Sequence, residues 1–90
     1  MIAYRVIAAD AQIAAALATD LQASVEKRHP ELAGKAAVRG DGIVTWVDGG
    51  RVFAVESRGR SVVLLERLPA QVFDRARDTV WRAPPVGASR

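Results

Sequence analysis

Arginine is the residue type in this sequence that is best suited to binding chemistry. Residues 51–90 carry eight arginines and four carboxylates, whereas residues 1–50 carry five Lys/Arg and six Asp/Glu. The basic excess therefore lies in the C-terminal half and consists of arginine alone. A planar guanidinium binds carboxylates and phosphates through paired N–H groups. Codon bias in a GC-rich genome is the alternative explanation for the same composition.

Five arginines lie near predicted turns or on a predicted C-terminal helix, where they would contact an acidic partner or a phosphate: Arg39, Arg58, Arg60, Arg75 and Arg77. Arginine-tipped hairpins can hold a nucleic-acid backbone in this way. Asp74 and Asp78 oppose that interpretation, because they neutralise the same helix. Few aromatic residues are left for base stacking.

The residues that could support catalysis are scattered. His29, the only histidine, lies between Arg28 and Pro30 without a carboxylate motif, and the chain has no cysteine. General acid–base catalysis needs two groups that converge in a pocket. Four carboxylates at predicted turns and strand ends have the pattern of solvated residues: Asp41, Asp48, Glu56 and Glu66. We therefore expect no catalytic residue, metal site or cofactor, and we predict that the chain is not an enzyme.

The bulk composition is that of one small folded domain. The chain has 90 residues, of which 50% are hydrophobic and 26% charged, with a formal net charge of +3. We predict a single α+β domain over residues 1–83, followed by a flexible tail over residues 84–90. The longest apolar run is far shorter than the roughly 20 residues of a bilayer span. We expect a cytoplasmic location without membrane contact.

Residues 10–28 have the clearest helical pattern. Ile13, Leu17, Leu21 and Val25 recur every four residues, and alanines between them add helix propensity. Asp10 is the expected N-cap. Pro30 disfavours helical geometry at His29, so the helix should end there.

Glycine-punctuated β-branched runs follow this helix and predict consecutive hairpins. The strands are expected over residues 43–48, 51–57 and 60–67, with a weaker one over 35–39 and two-residue turns at Gly49-Gly50 and Arg58-Gly59. Residues 1–9 alternate as an edge strand does, although Ile2 and Val6 also fit a backward extension of the helix. We favour the strand.

A second helix is predicted to begin near Pro69 and to end at Pro84-Pro85, with an apolar face of Val72, Phe73, Ala76 and Val80. The fold class is therefore α+β: a helix, a three- to four-stranded antiparallel meander and a helix, with the short N-terminal strand in addition. This element order resembles that of double-stranded RNA-binding domains, but the second helix lacks their lysine cluster. No motif identifies a family.

Both faces of the predicted sheet are apolar. Side-chain alternation places Val44, Trp46, Phe53, Val55, Val62 and Leu64 on one face, which we expect the two helices to cover. The other face is also too apolar for water, and its apolar side chains form the predicted interface: Ile43, Val47, Val52, Val63 and Leu65. Three alternatives could cover it: the helices divide between the faces or residues 1–9 pack there, a second subunit binds, or another protein binds.

Together these patterns favour a small non-enzymatic protein-interaction domain, such as an adaptor, an inhibitor or an assembly subunit. We predict that it self-associates as a homodimer through its sheet. The alternative function is a nucleic-acid-binding module that uses the arginine-rich hairpin and the second helix.

Overall fold

The computed structural model describes residues 2–39 and 42–83, with Arg39 described by its backbone alone. Five strands and two helices follow one another along the chain: β1 Ile2–Ile7, α1 Ala11–Arg28, β2 Ala37–Arg39, β3 Ile43–Asp48, β4 Arg51–Arg58, β5 Ser61–Pro69 and α2 Phe73–Arg82. The predicted α+β class is confirmed. The strand count exceeds the predicted three to four, because residues 2–7 and 37–39 both join the sheet.

Helix α1 begins and ends where its sequence predicts. The Asp10 carboxylate accepts a hydrogen bond of 2.8 Å from the backbone N–H of Ile13, which satisfies one of the free donors of the first turn. Lys27 and Arg28 occupy the last turn, where cations interact favourably with the helix dipole. Pro30 then starts a 3₁₀ turn over Pro30–Leu32.

All neighbouring strands in the five-stranded sheet are antiparallel, in the order β1-β5-β4-β3-β2. Residues 2–7 are a strand, as we favoured, and they form one edge of the sheet beside β5. The short β2 forms the opposite edge. The N-terminal segment thus returns to pair with the last strand, so the sheet is not a simple meander.

The first hairpin has the predicted register, with Trp46 opposite Phe53 and positive φ at both Gly49 and Gly50. The second predicted turn is wrong by one position: Gly59-Arg60 forms the turn, and Arg58 pairs with Ser61. Glycine thereby takes the first turn position, with φ 54°. The register moves by two residues, so the side chains of β5 as far as Leu65 keep their predicted faces.

A β-bulge interrupts the pairing of β4 with β5. Ala54 pairs with Leu65 and Val52 with Leu68, so Phe53 lies opposite two residues of β5. Arg67, one of these two, has φ 60°. The bulge restores pairing up to Pro69, which ends the strand because proline has no N–H to donate.

The two helices divide between the two faces of the sheet. On the first face, α1 packs on β4 and β5 over a core that includes Val44, Trp46 and Phe53. On the second face, α2 packs on β1 and β5. Four side chains of α2, Phe73, Ala76, Val80 and Trp81, pack on this face. They cover the buried residues Ile43, Ala54, Val63, Leu65 and Leu68. The expectation that both helices cover one face is therefore wrong. The observed arrangement is the alternative in which the helices divide between the two faces.

This arrangement buries most of the predicted interface inside a single chain. Ile43, Val63 and Leu65 belong to the core under α2, and Val52 is buried as well, so these four are not available to a second subunit. Val47 alone is exposed, at 57%.

Helix α2 begins later than predicted. Pro69 belongs to β5, a 3₁₀ turn spans Ala70–Val72, and α-helical geometry starts at Phe73. This turn connects the end of β5 to α2, which packs on the second face. The predicted tail at residues 84–90 lies outside the described residues.

Candidate functional site

The side chain of Glu56 is the centre of the candidate site. Glu56 lies in β4 on the second face of the sheet, between β3 and β5, and only 1% of its surface is exposed. The sequence pattern had suggested a solvated carboxylate, and that interpretation is wrong. A buried carboxylate is tolerated only when several donors satisfy it, because its desolvation is costly.

Three side chains supply those donors. Arg77 donates from Nε to Oε1 at 2.7 Å and from Nη2 to Oε2 at 2.6 Å. Trp81 donates from Nε1 to Oε1 at 2.9 Å, and Arg58 donates from Nε to Oε2 at 2.9 Å. Arg77 and Trp81 are four residues apart on α2, so one face of the helix presents both.

These contacts determine the protonation of Glu56. Burial by itself raises the pKa of this carboxyl, but the hydrogen bonds from Arg77, Trp81 and Arg58 outweigh that effect. The pKa of Glu56 therefore lies below its ordinary value, and the group is a carboxylate at neutral pH. This anion holds the guanidinium groups of Arg58 and Arg77 in fixed orientations.

The indole ring of Trp81 extends the cluster toward β1. The guanidinium carbon of Arg58 lies 4.3 Å from the centre of the ring, and that of Arg5 lies 5.7 Å from it. Arg5 also donates to the hydroxyl of Ser61 at 3.3 Å and to the carbonyl of Ala83 at 2.5 Å. The cluster thus ties α2 to both β1 and the β4–β5 hairpin.

Above this cluster the surface forms an open depression of about 480 Å³, which we call the arginine depression. Its lining consists of Arg58, Asp74, Arg75, Arg77, Asp78 and Trp81. Arg75 is exposed, and within the described residues its side chain has no hydrogen bond or ion pair. Arg58 is half exposed, with 52% of its side chain accessible. The lining can therefore offer guanidinium donors to an anionic group.

The five arginines predicted to contact an acidic ligand do not all meet. Arg58, Arg75 and Arg77 line the arginine depression together. Arg60 instead donates from Nε to the carbonyl of Ala8 at 3.0 Å, at the end of β1. Arg39 ends β2 on the opposite edge of the sheet, and its side chain lies outside the described part of the chain.

The sequence did not indicate that Glu56, Trp81 or Arg5 belongs to this site. One signal was present, since Glu56 interrupts an otherwise apolar strand face that needs covering. Its partners could not be found from spacing, because Arg77 and Trp81 are 21 and 25 residues away.

A second buried carboxylate, Glu66, lies on the other face of the sheet and is 3% exposed. Arg28 donates to both of its oxygens, with Nη1 at 2.9 Å from Oε1. Burial by itself raises the pKa of Glu66, but the hydrogen bond from Arg28 outweighs it, so the pKa lies below its ordinary value. The same pairing raises the pKa of Arg28. The prediction of a solvated Glu66 is therefore also wrong.

His29 lies beside this pair and, contrary to the sequence analysis, has a carboxylate neighbour. Its Nε2 is 3.6 Å from Glu66 Oε1, which is too long for a hydrogen bond, and its ring lies 5.0 Å from that of Phe53. A depression of about 260 Å³ opens here, lined by Ile2, Arg28, His29, Glu66 and Arg67. The long separation shows no formed acid–base pair, and the histidine packs as part of the core.

Within residues 2–39 and 42–83, no group of three His, Asp or Glu side chains is placed to hold a metal ion. No helix in the described part of the chain has the length and apolar character of a membrane span. Comparison with known protein families, with curated proteins and with solved structures finds no match to this chain.

Proposed function

We propose that this chain is a non-enzymatic interaction domain that binds an acidic segment of a partner protein in the arginine depression. The observation that carries the proposal is the position of α2 over the second face. It brings Arg58, Arg75 and Arg77 around one depression with Trp81 between them.

Preorganisation supports carboxylate binding at this site. The Glu56 carboxylate and the Trp81 ring fix the guanidinium of Arg58, so binding costs little of its side-chain entropy. Arg75 stands beside it at the surface. Two neighbouring guanidinium groups can hold carboxylates of an extended acidic peptide, one of which would be fixed by paired N–H groups.

A protein partner fits the site better than a nucleic acid does. Asp74 and Asp78 line the same depression, and they would repel a continuous phosphate backbone. The Trp81 ring is already covered by Arg58, and its N–H is bonded to Glu56, so it offers no free surface for stacking a base. A peptide carries separate carboxylates on an uncharged backbone, so it can bring a carboxylate to Arg58 or Arg75 while its neutral groups pass Asp74 and Asp78.

The test is an NMR titration of the labelled protein with an oligoglutamate peptide and, separately, with an oligothymidylate of equal charge. Trp81 and Trp46 are the two tryptophans of the chain, so their indole N–H signals serve as site reporter and internal control. We expect oligoglutamate to shift the Trp81 signal and leave the Trp46 signal in place. Arg75→Glu should abolish the shift, whereas Arg51→Glu, the same charge change at an exposed site outside the depression, should not.

Each outcome of this titration is decisive. Tighter binding of oligothymidylate than of oligoglutamate, with a steep loss as salt rises, would transfer the site to the nucleic-acid alternative. Binding of neither probe at low salt would overturn the proposal.

Self-association is the second part of the proposed function. The face first assigned to it is filled by α2, so association through the sheet must use an edge strand. Light scattering on a sizing column measures the native mass, and a monomer at every concentration would refute self-association without affecting the arginine depression.

A further inference from the structure

Strand β1 is an open edge of the sheet. It stands at the end of the strand order, with β5 on one side and no strand of this chain among the described residues on the other. Its two ends expose apolar side chains, since Ile2 is 42% and Ile7 48% accessible. An edge of this kind is a template for another strand.

The hydrogen-bond pattern shows which backbone groups of β1 point outward. The N–H of Ala8 donates to the carbonyl of Arg60, across the antiparallel pair that continues the β1–β5 register. N–H and C=O groups alternate in direction along an antiparallel strand. Tyr4 and Val6 therefore point their backbone groups toward β5, and Ala3, Arg5 and Ile7 point theirs away from the sheet.

β1 lacks the features that normally prevent an edge strand from pairing with another chain, whereas the opposite edge strand, β2, has one of them. β1 is a six-residue strand of sequence IAYRVI, without proline or lysine, and its pairing with β5 has no bulge. Its single charged side chain, that of Arg5, is directed under α2 toward Trp81 and Ala83, so it does not prevent another strand from pairing with β1. By contrast, β2 has three residues, too few for a stable pairing surface.

We propose that β1 pairs antiparallel with β1 of a second copy of this chain, about a twofold axis at Tyr4, to form one continuous sheet. This inference rests on the proposed self-association and specifies its surface and register. The twofold axis is perpendicular to the sheet, so opposite residues must share a face. Only registers that pair even with even and odd with odd residues satisfy this condition.

Two such registers give the longest overlap within Ile2–Ile7. One is centred on Tyr4 and places Arg5 opposite Ala3 of the second copy. The other, centred on Arg5, has one more hydrogen-bonded pair but sets two arginines directly opposite each other. Like charges at that position are destabilising. In addition, Nε of Arg5 is already buried without a hydrogen-bond partner, so a second guanidinium there would add to an unfavourable site.

In the Tyr4-centred register the outward groups of Ala3 and Arg5 bond to each other across the interface. Tyr4 meets its symmetry mate in a non-hydrogen-bonded pair, where Cα atoms lie about 4.5 Å apart. Ile2, exposed in one copy, packs beside Val6 of the other on the α1 side of the sheet. The interface is small, so we expect a dimer of modest affinity.

Disulfide trapping tests the register, because the chain has no cysteine of its own. Under mild oxidation, Tyr4→Cys should form a covalent dimer, since the Cα separation matches the roughly 4.4–6.8 Å that a disulfide spans. Ala3→Cys combined with Ile7→Cys is the control, because these two positions lie opposite each other only in the Arg5-centred register, and it should form no covalent dimer since diagonal neighbours are about 7–8 Å apart or more. Trapping of this double variant and not of Tyr4→Cys would overturn the Tyr4 axis.

A proline substitution tests whether β1 forms the dimer interface, independently of the disulfide-trapping variants. Ala3→Pro removes an outward N–H without breaking the β1–β5 bonds, and it should weaken the dimer about tenfold or more. Ala3→Val keeps the N–H and should leave the dimer intact. Sedimentation from roughly 1 µM to roughly 1 mM measures both variants, and thermal melting establishes that each is folded.

The outcomes separate this inference from the self-association on which it rests. A wild-type chain that stays monomeric throughout the range refutes both. A wild-type dimer that survives Ala3→Pro and is not trapped by Tyr4→Cys leaves self-association standing and overturns the assignment to β1.

Discussion

Glu56→Gln is the substitution for which the structure predicts the largest effect from the smallest change in shape. Glutamine is nearly isosteric with glutamate, so packing under α2 is preserved. It removes the charge, however, and turns one acceptor oxygen into an NH₂ donor. That donor would face Arg58 or Arg77, which also present only donors.

The cost follows from the number and burial of the lost contacts. Hydrogen bonds to charged groups contribute about 1.5–3 kcal/mol each, and breaking a buried ion pair costs about 3–5 kcal/mol. Because Glu56 accepts from three side chains and is 1% exposed, we expect a loss of about 3–5 kcal/mol in the free energy of unfolding. A domain of this size has a total of about 5–15 kcal/mol, and the melting temperature should fall by roughly 10–40 °C.

Urea unfolding monitored by circular dichroism measures this loss, with Glu31→Gln as the matched control. Glu31 has a half-exposed side chain whose oxygen is 3.9 Å from His29 Nδ1, so its variant should change stability by less than about 0.5 kcal/mol. A folded Glu56→Gln variant that loses less than about 1 kcal/mol would show that the Arg58–Arg77–Trp81 cluster does not stabilise α2 on the sheet.

Three further predictions concern the core and the pH dependence. Trp46→Ala should lower the free energy of unfolding by about 3–5 kcal/mol in urea unfolding, because the ring is buried and its Nε1 donates to Glu26 at 2.9 Å; a near-neutral effect would contradict the Trp46–Phe53 pairing. Val63→Glu should unfold the chain at every protein concentration, as read by circular dichroism, because its side chain lies under α2; a folded monomer would contradict the divided helices. The pKa values of Glu56 and Glu66 are lowered in the folded state, so unfolding takes up protons below about pH 4.5. The contribution of these two carboxylates to stability should therefore be present above that pH and be lost as the pH falls below it. Acid titration followed by circular dichroism would refute this if stability rose instead.

The local features of this fold were predictable because each depends on neighbouring residues. The bounds of β3, the Asp10 cap of α1 and the Gly49-Gly50 turn follow from side-chain alternation, capping chemistry and glycine geometry. The position of the second turn could not be predicted in the same way. A turn at Arg58-Gly59 and a turn at Gly59-Arg60 place the same side chains on the same faces of the sheet. Alternation constrains the face of a residue and leaves a two-residue shift of register undetermined.

The candidate site was only partly predictable, since its charge partners come from separate elements. Composition indicated Arg58, Arg75 and Arg77 as a basic surface. The burial of Glu56 and Glu66 was missed, because a carboxylate in a strand is indistinguishable from a solvated one until its partners are known. Those partners lie on α2 for Glu56 and at the end of α1 for Glu66.

Periodicities of a few residues were enough to predict the central strands, the approximate positions of both helices and the faces of the side chains before the bulge. The tertiary structure decided which helix covers which face. The apolar side chains of α2 could pack on either face, and the path after Pro69 selects the second. That choice buried Ile43 and Val63 and gathered the arginines around Trp81, because both consequences depend on contacts between residues far apart in the chain. The pairing of β1 with β5, also between distant residues, made β1 the edge of the sheet.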